Sequence, residues 1–276
     1  MFGLSRQAIY QAKNRELKRR EELSQIKPLV LNIRRELPRL GTRKLYYLLK
    51  DEFNQLGIKI GRDALFDYLR KEYMLIKSRK NYTRTTMSNH WLHKHPNLMK
   101  EKELTAPNQS WVSDITYIKT RKDTHYLSLV TDAYSRKIVG YKLSSDMRAE
   151  HVVEAVKMAI KERKCDLPLI HHSDRGLQYC SNIYQEVLKE NNITPSMTDG
   201  YDCYQNALAE RINGILKQEF LIHKCKNEKE LELLIKESIN IYNNKRPHLS
   251  LQMKTPNFVH QKENPLKLTS KGSIII

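Results

Sequence analysis

The 276-residue sequence has few cysteines, and their spacing excludes the sites that cysteines usually build. The four of them, Cys165, Cys180, Cys203 and Cys225, include no C-x-x-C pair. Their spacings match neither a zinc site nor a small disulfide framework. We therefore expect buried or unused thiols in a reducing cytosol.

Long apolar stretches are also missing. No apolar run approaches the ~20 residues of a membrane-spanning helix, and the opening residues MFGLSRQAIYQAKNRE contain no apolar secretion signal. His90, His93 and His95 form a small cluster without a neighbouring cysteine pair, so we interpret them as ordinary linker residues. The sequence predicts a cytoplasmic protein with no membrane partner.

Acidic residues are scarce relative to basic ones, with 31 Asp and Glu against 49 Lys and Arg and a net charge of +18. Residues 1–100 hold 23 basic and 9 acidic side chains, a net charge of +14, which leaves +4 for residues 101–276. Because Lys and Arg neutralise phosphates, nucleic acid is the favoured partner. A basic tail that serves only solubility is the alternative, but apolar periodicity in the same segment argues against it.

This basic region has the spacing of helices. One helix is predicted from Ser5 and a second around Leu23–Leu37, and residues 41–75 show two apolar faces joined by a short turn, a helix-turn-helix pattern. Many helical pairs of this size bind no DNA. We predict a helical DNA-binding region over residues 1–75 and a basic linker over 76–105. The predicted DNA contacts here are Arg6, Gln7, Lys13, Arg43 and Lys44.

From Trp111 onward the sequence changes to alternating, β-rich stretches. Three strands in a meander, then helix, strand, helix, strand and helix, predict an α/β fold with a mixed sheet. The strands are predicted at 110–120, 125–135, 137–145, 167–173 and 193–197, and the helices at 148–163, 182–190, 207–220 and 228–242.

Three carboxylates stand at the ends or faces of these elements. Asp114 lies in the first strand, Asp174 closes the fourth, and Glu210 lies near the start of a helix, with 35 residues between it and Asp174. Considered one at a time, Asp114 would be interpreted as a solvent-facing strand residue, Asp174 as a turn former and Glu210 as a charged residue on a helix surface. Together they match phosphodiester chemistry, which uses two divalent ions to stabilise the attacking and leaving oxygens. Mg²⁺ binds through a few carboxylates while keeping water and phosphate oxygens as ligands.

Five motifs resemble one known family. The chain is similar to the DDE integrase core of bacterial insertion-sequence transposases, and especially to the second-reading-frame (OrfB) product of the two-frame elements. The resemblance covers nearly the whole chain. The motifs are WVSDITYI at 111–118, DAYSRKIVGY at 132–141, HSDRGLQYCS at 172–181, NALAERINGILKQE at 206–219 and YNNKRPHLSL at 242–251.

The resemblance implies a ribonuclease-H-like mixed five-stranded sheet flanked by helices and preceded by the all-α helix-turn-helix region. The catalytic core spans 106–220, with a C-terminal helical extension over 221–276. Asp114, Asp174 and Glu210 become the catalytic and metal-binding residues, holding two Mg²⁺ ions for which Mn²⁺ substitutes. The implied partners are terminal inverted repeats, target DNA, the upstream-frame (OrfA) product or its fusion, and further copies of this chain on DNA in a bacterial nucleoid.

Further residues around the three carboxylates are candidates for contacts. Asn213 and Lys217 lie three and seven residues beyond Glu210, on the same helix face, and could approach DNA. A solvated Lys217 is the alternative. His172, Gln178 and Asn206 are accessory candidates, although loop hydrogen bonds would explain His172 and Gln178 equally well. By resemblance, Arg246 and His248 are further DNA contacts.

The sequence thus predicts a DNA transposase that performs metal-dependent phosphodiester cleavage and strand transfer at insertion-sequence ends. One rival is a DNA-binding regulator with an inactive core, which would bind terminal repeats without nicking them. Another is a nuclease of the same fold, which would cut RNA–DNA hybrids without joining DNA ends. The 15 tyrosines form no tyrosine-recombinase pattern.

Overall fold

The computed structural model of the protein describes residues 6–77, 91–100, 102–165, 167–199 and 206–262. The chain divides into two compact units, Met1–Ser78 and Arg79–Ile276, and each has its own buried apolar core. None of the helices in the described stretches is long and apolar enough to cross a membrane.

The first unit consists of helices, as its apolar spacing predicts. They are α1 (Arg6–Ser24), α2 (Ile26–Glu36), α3 (Thr42–Gln55) and α4 (Arg62–Lys71). Helix α1 has no buried side chain, so the core of this unit is formed by the other three helices and the segments between them. Its fully buried residues are Ile26, Val30, Leu40, Leu45, Leu49, Leu65 and Leu69.

A tight turn joins α3 to α4, in keeping with the predicted helix pair. Gly57 has φ +68°, the left-handed conformation with which glycine commonly ends a helix. Ile58 N then donates to Phe53 O over 2.8 Å, and the Ile58 side chain is buried. The turn thus sets the entry to α4 through backbone geometry and one apolar contact.

The second unit is organised by a mixed five-stranded sheet, as predicted. Its order is β3-β2-β1-β4-β5; β1, β2 and β3 pair antiparallel, and β4 is parallel to both β1 and β5. The strands are β1 (Ser110–Lys119), β2 (Thr124–Asp132), β3 (Ile138–Ser144), β4 (Leu169–Ser173) and β5 (Ile193–Met197).

Helices α5 (Ala149–Glu162) and α6 (Asn182–Glu190) belong to the main core of this unit. Trp111 of β1 is fully buried in that core. A Cβ at Gly140 would collide with the carbonyl oxygen of Ala155, so glycine in β3 allows α5 to approach the sheet closely.

The opposite sheet face carries α7 (Ala207–Ile215), because side chains alternate along β1 and Val112 packs with Ala209 of α7. The helix predicted over 207–220 continues after Ile215 as a π-helical turn over Leu216–Phe220. Then follow α8 (Glu228–Asn244), a short 3₁₀ turn (Leu249–Leu251) and α9 (Pro256–Lys262).

Parts of the predicted linker and of the predicted C-terminal extension contact the sheet. Residues 78–90 and 101 lie outside the described residues, but Leu98 N donates to Ser196 Oγ over 2.8 Å and Met197 N donates to Pro96 O over 3.3 Å. In α8, Asn243 accepts from Ile138 N over 3.0 Å and donates to Ile138 O over 2.9 Å. Residues 96–98 and helix α8 are therefore hydrogen-bonded to strands of the sheet.

The cysteine prediction holds for the described residues. Cys165, Cys180 and Cys225 are free and buried. Cys203 and His90 lie outside the described residues.

Candidate active site

Asp114 lies on β1 and faces α7. Strand alternation puts it on the same face as Val112, away from the core around Trp111. Its Oδ1 accepts a hydrogen bond from Ile115 N over 2.9 Å, and its Oδ2 accepts one from Asn213 Nδ2 over 2.8 Å. Both carboxylate oxygens therefore have fixed directions.

Asp174 is brought beside Asp114 by the parallel pairing of β4 with β1. In that register Val112 of β1 is paired with His172 of β4. Asp114 and Asp174 lie two residues further along these parallel strands, so they stand side by side. Gly176 N donates to Asp174 Oδ1 over 2.9 Å. A Cβ at Gly176 would lie 3.0 Å from that oxygen, which favours glycine in the bend.

Glu210 is exposed in the first turn of α7, and polar contacts tie that helix to β1. At its start, Asn206 Nδ2 donates to Ser113 O over 3.0 Å. One turn beyond Glu210, Asn213 holds Asp114. In the following π turn, Lys217 Nζ donates to Thr116 Oγ1 over 3.0 Å and lies 4.1 Å from the centroid of the Tyr117 ring.

Electrostatics couple the three carboxylates. Burial, followed by the charge of Asp174, raises the pKa of Asp114 to about 7, and Glu210 adds to this effect. Burial and the charge of Asp174 likewise raise the pKa of Glu210. A positive charge between these groups would relieve their repulsion.

The oxygen donors suit a hard divalent cation, which binds through a few carboxylates and keeps water and phosphate ligands. Within the described residues, no group of three or more His, Cys, Asp or Glu side chains is placed so that it could hold a metal ion.

Beneath Asp114 lies a buried polar network that sequence reasoning missed. His171 Nε2 lies 2.8 Å from Ser113 Oγ and 3.0 Å from Tyr184 OH. Burial, followed by the neighbouring His172, lowers the pKa of His171 to about 3, so the ring is neutral. The paired histidines within an apolar strand were the signal in the sequence, but only the sheet register identifies Ser113 as the partner.

The accessory candidates anchor the surrounding loops. His172 is buried, with its Nδ1 2.9 Å from Ser196 Oγ on β5. Gln178 Nε2 donates to Met147 O over 2.8 Å. These contacts agree with the hydrogen-bonding alternative for both side chains.

The expected DNA contacts at Arg246 and His248 need correction, because both side chains are buried. Arg246 donates two hydrogen bonds to Glu219, from Nε to Oε2 over 2.8 Å and from Nη2 to Oε1 over 2.6 Å. Its Nη1 lies 3.0 Å from His248 Nε2. Glu219 belongs to the π turn that follows α7. The pair therefore fixes that turn inside the fold and presents no cation to a ligand.

Asn213 also has a more internal position than predicted. It is buried and its Nδ2 donates to Asp114 Oδ2, so the contact that the structure shows is with a carboxylate of the site and not with the surface that DNA would meet. Lys217 is half-buried, and burial lowers its pKa. A DNA contact by Lys217 stays a prediction.

The candidate contacts of the first unit lie at its surface. Arg6, Gln7, Lys13 and Arg43 are exposed, and Lys44 is half-buried. Their contact with DNA stays a prediction.

A mixed sheet with this order and helices on both faces defines the ribonuclease-H-like class to which integrase catalytic cores belong. Two family models of the integrase core domain match residues 105–203 and 191–256. A chain in the cryo-EM structure of the simian T-cell lymphotropic virus intasome in complex with PP2A regulatory subunit B56 gamma superposes with a TM-score of 0.51 and 18% identity. The superposition covers 80% of this chain and 75% of that one, and it supports the fold alone.

Curated relatives narrow the class further. The uncharacterized 31 kDa protein of insertion element IS600 from Shigella sonnei is 38% identical over 259 residues, 91% of this chain and 93% of that relative. Transposase InsF for insertion sequence IS3A of Escherichia coli K12 is 34% identical over 172 residues, 62% of this chain and 60% of that transposase. The chain belongs to the insertion-sequence transposases with an integrase-like core, whose activity is DNA transposition.

Proposed function

We propose that this transposase cleaves a phosphodiester at each end of its element and joins the freed end to another strand, with Asp114, Asp174 and Glu210 as its catalytic residues. The observation that carries the proposal is the coupling of these three carboxylates. They come from β1, the end of β4 and α7, and their repulsion contributes to raising the pKa of Asp114 to about 7.

The three carboxylates would hold two Mg²⁺ ions, with Mn²⁺ as a substitute. When bound, such ions stabilise the attacking and leaving oxygens of an in-line displacement. The chain itself orients the donors: Asn213 and Ile115 N direct the oxygens of Asp114, and Gly176 N directs Asp174. Glu210, on the exposed side of α7, would complete the set from the helix layer.

The chemistry needs no nucleophile from the protein. In the first step a water oxygen bonds to the phosphorus at the element end, and the bond from phosphorus to the 3′-oxygen breaks. The water gives up a proton, and the freed 3′-oxygen takes up a proton to become a hydroxyl. In the second step the oxygen of that hydroxyl bonds to a phosphorus of the target strand, the bond from this phosphorus to the target's 3′-oxygen breaks, and the proton of the attacking hydroxyl ends on the displaced 3′-oxygen.

The proposed partners follow from charge and family. The basic surface of the first unit would bind the terminal inverted repeats, and the core would receive target DNA. Further copies of this chain and the upstream-frame product would complete the assembly on DNA in the nucleoid.

The proposal is tested with Asp114→Asn, Asp174→Asn and Glu210→Gln in the full-length chain. Each should lower end cleavage and strand transfer by more than about a hundredfold, since even outer partners of metal ligands are worth 10–100-fold. Glu190→Gln, an exposed residue at the end of α6, is the matched control. Full activity in any of the three variants would refute the assignment.

Two further readouts separate the rival functions. Binding to the terminal repeats without any nicking in Mg²⁺ or Mn²⁺ would favour a regulator. Cleavage of RNA–DNA hybrids without joining of DNA ends would favour a nuclease of the same fold.

A further inference from the structure

A cleft of about 630 Å³ opens in the second unit. Val112 and His172 line it, and they stand two residues before Asp114 and Asp174. Side chains two apart in a strand share a face and lie about 7 Å apart. The cleft is therefore a lateral continuation of the candidate active site, and no step proposed above uses it.

One wall of the cleft is apolar. Leu104 and Leu208 pack against the buried cluster of Val112, Ala133 and Ala209. The aromatic side chain of Tyr134 also lines the cleft. Apolar and aromatic surfaces of this kind accept the faces of nucleobases, largely without regard to sequence.

The charged side chains that line the cleft in the described part of the chain are all basic. Lys102, Arg136 and Lys254 line the cleft, and no acidic side chain occurs among the described residues that do so. Burial lowers the pKa of Arg136, but an arginine keeps its proton in proteins. Its charge is thus held in a partly desolvated position, where a phosphate group is a favourable partner.

The turn that contains Tyr134 and Arg136 is stabilised by hydrogen bonds to a buried carboxylate. Asp132, fully buried, accepts hydrogen bonds from Ser135 N over 2.7 Å and Ser135 Oγ over 2.6 Å. Asn108 N donates to its other oxygen over 2.7 Å. Because these contacts occupy Asp132 below the turn, the wall is largely preformed, as in most ligand sites.

We propose that this cleft binds one unpaired nucleotide of the DNA end, next to the phosphodiester held at the carboxylates. The base would lie against Tyr134 and Leu208, and the phosphate would lie near Arg136 and Lys254. The volume falls within the range of about 300–1,000 Å³ that small-molecule sites occupy. The inference rests on the proposed function, since it places the scissile phosphate beside Asp114.

The test uses the full-length chain carrying Asp114→Asn, so that binding is observed without cleavage. The probe is a duplex of the element's terminal sequence with 2-aminopurine next to the scissile position. Fluorescence should rise on binding, because an extruded base loses its stacking in the duplex. A second duplex with 2-aminopurine about ten base pairs inward, roughly one helical turn, should show no rise.

Two variants fill or open the cleft. Ser250 lines it and is exposed, so Ser250→Trp should occupy the space and abolish the rise, whereas Ser250→Ala should preserve it. Tyr134→Ala should weaken binding of the end by about five- to a hundredfold, the effect expected from removing one base-stacking partner. An unchanged fluorescence rise in Ser250→Trp would overturn the proposal.

The charge is tested by the salt dependence of binding. Lys254→Met removes one phosphate partner and should reduce the slope of log K against log salt by about one. Lys157→Met, at an exposed position of α5, should leave the slope unchanged. Equal slopes for both variants would contradict a phosphate at Lys254.

These measurements distinguish the two proposals. If Asp114 is not catalytic, cleavage persists in Asp114→Asn while the fluorescence of the probe still reports the cleft. If the cleft takes no nucleotide, Asp114→Asn abolishes cleavage while the terminal 2-aminopurine stays as dim as the inner one.

Discussion

The two units use charged side chains in opposite ways. In the first unit Lys27 and Glu72 pair over 3.0 Å with side chains 51% and 36% exposed. In the second unit Arg246 and Glu219 pair over 2.6 Å with side chains 3% and 20% exposed. The first kind of charge is screened by salt and available to a polyanion. The second kind is desolvated and fixes one part of the fold to another.

Neutral polar groups follow the same division. Among the described residues of the first unit Thr42 is the one buried polar side chain, whereas the second unit buries Ser113, His171 and many others, several beside the candidate site. Burial makes a polar group costly to leave unpaired. Substitutions of polar and charged side chains should therefore act on fold and chemistry in the second unit and mainly on binding in the first.

The largest expected effect on stability comes from Arg246→Ala. Glu219 would lose both hydrogen bonds from the guanidinium in a mostly dry site, and the second unit should lose about 3 kcal/mol of its free energy of unfolding. Lys27→Ala in the first unit should cost less than about 1 kcal/mol. Urea unfolding followed by tryptophan fluorescence measures the cost of Arg246→Ala, because Trp91 and Trp111 both belong to the second unit. Hydrogen exchange of the α2–α4 amides measures the cost of Lys27→Ala in the first unit.

Arg246→Lys sharpens this comparison. Lysine keeps the charge but lacks the planar fork that binds both oxygens of Glu219, so an intermediate loss is expected. Equal costs for Arg246→Ala and Lys27→Ala would show that the two ion pairs do not differ as their burial indicates.

The next largest difference between the two units is expected in how their stability responds to mild acid. Residues 1–78 contain no histidine, whereas burial lowers the pKa of His171 to about 3. Since the unfolded chain takes up that proton near pH 6.5 and the folded chain does not, the contribution of His171 to stability falls as the pH drops from about 6.5 towards 3. The raised pKa of Asp114 acts in the opposite direction, because the folded chain takes up that proton at about pH 7 and the unfolded chain only at about pH 3.9, so the comparison uses chains that carry Asp114→Asn. The loss is about 2 kcal/mol by pH 5, and the first unit should be much less affected between pH 7 and 5.

Urea unfolding of the Asp114→Asn chain at pH 7 and pH 5 measures this difference, and the two substitutions that follow are made in that chain. His171→Gln should be less stable at pH 7 but should show a flatter pH dependence, and His93→Gln, at an exposed position, should behave like the parent chain. An unchanged pH dependence in His171→Gln would remove His171 as its cause.

Asn213→Ala should lower cleavage by about 10–100-fold, because it releases Asp114 Oδ2 from its fixed direction. DNA affinity should stay within about twofold, since Asn213 is buried and contacts the carboxylate. Asn227→Ala is the matched control, because Asn227 caps α8 by accepting from Glu230 N over 2.9 Å. It should cost about 1 kcal/mol of stability and leave cleavage unchanged. A large loss of DNA binding in Asn213→Ala would restore the DNA-contact role predicted from sequence.

The sequence predicted the elements well because their periodicity is local. Strand alternation located β1 around Asp114, and the apolar run ending in Asp174 located β4. The partners of Asn213 and Arg246 could not be predicted, because Asp114 lies 99 residues away from Asn213 and Glu219 lies 27 residues away from Arg246. The spacing from Glu210 placed Asn213 on the correct helix face but did not reveal whether that face meets solvent or β1.

The smallest effect on the fold should come from the exposed cations of the first unit. Arg6→Gln, Lys13→Gln and Arg43→Gln combined should leave the unfolding free energy within about 0.5 kcal/mol of the parent value, because none of these side chains is buried. The same variant should weaken DNA binding similarly for all sequences and reduce the salt slope by about one for each phosphate that the replaced cations neutralise in the parent chain. Lys229→Gln, at an exposed position of α8, is the control and should change neither quantity. Binding titrations between 50 and 200 mM salt decide the outcome: an unchanged slope in the triple variant would mean that these three cations touch no phosphate.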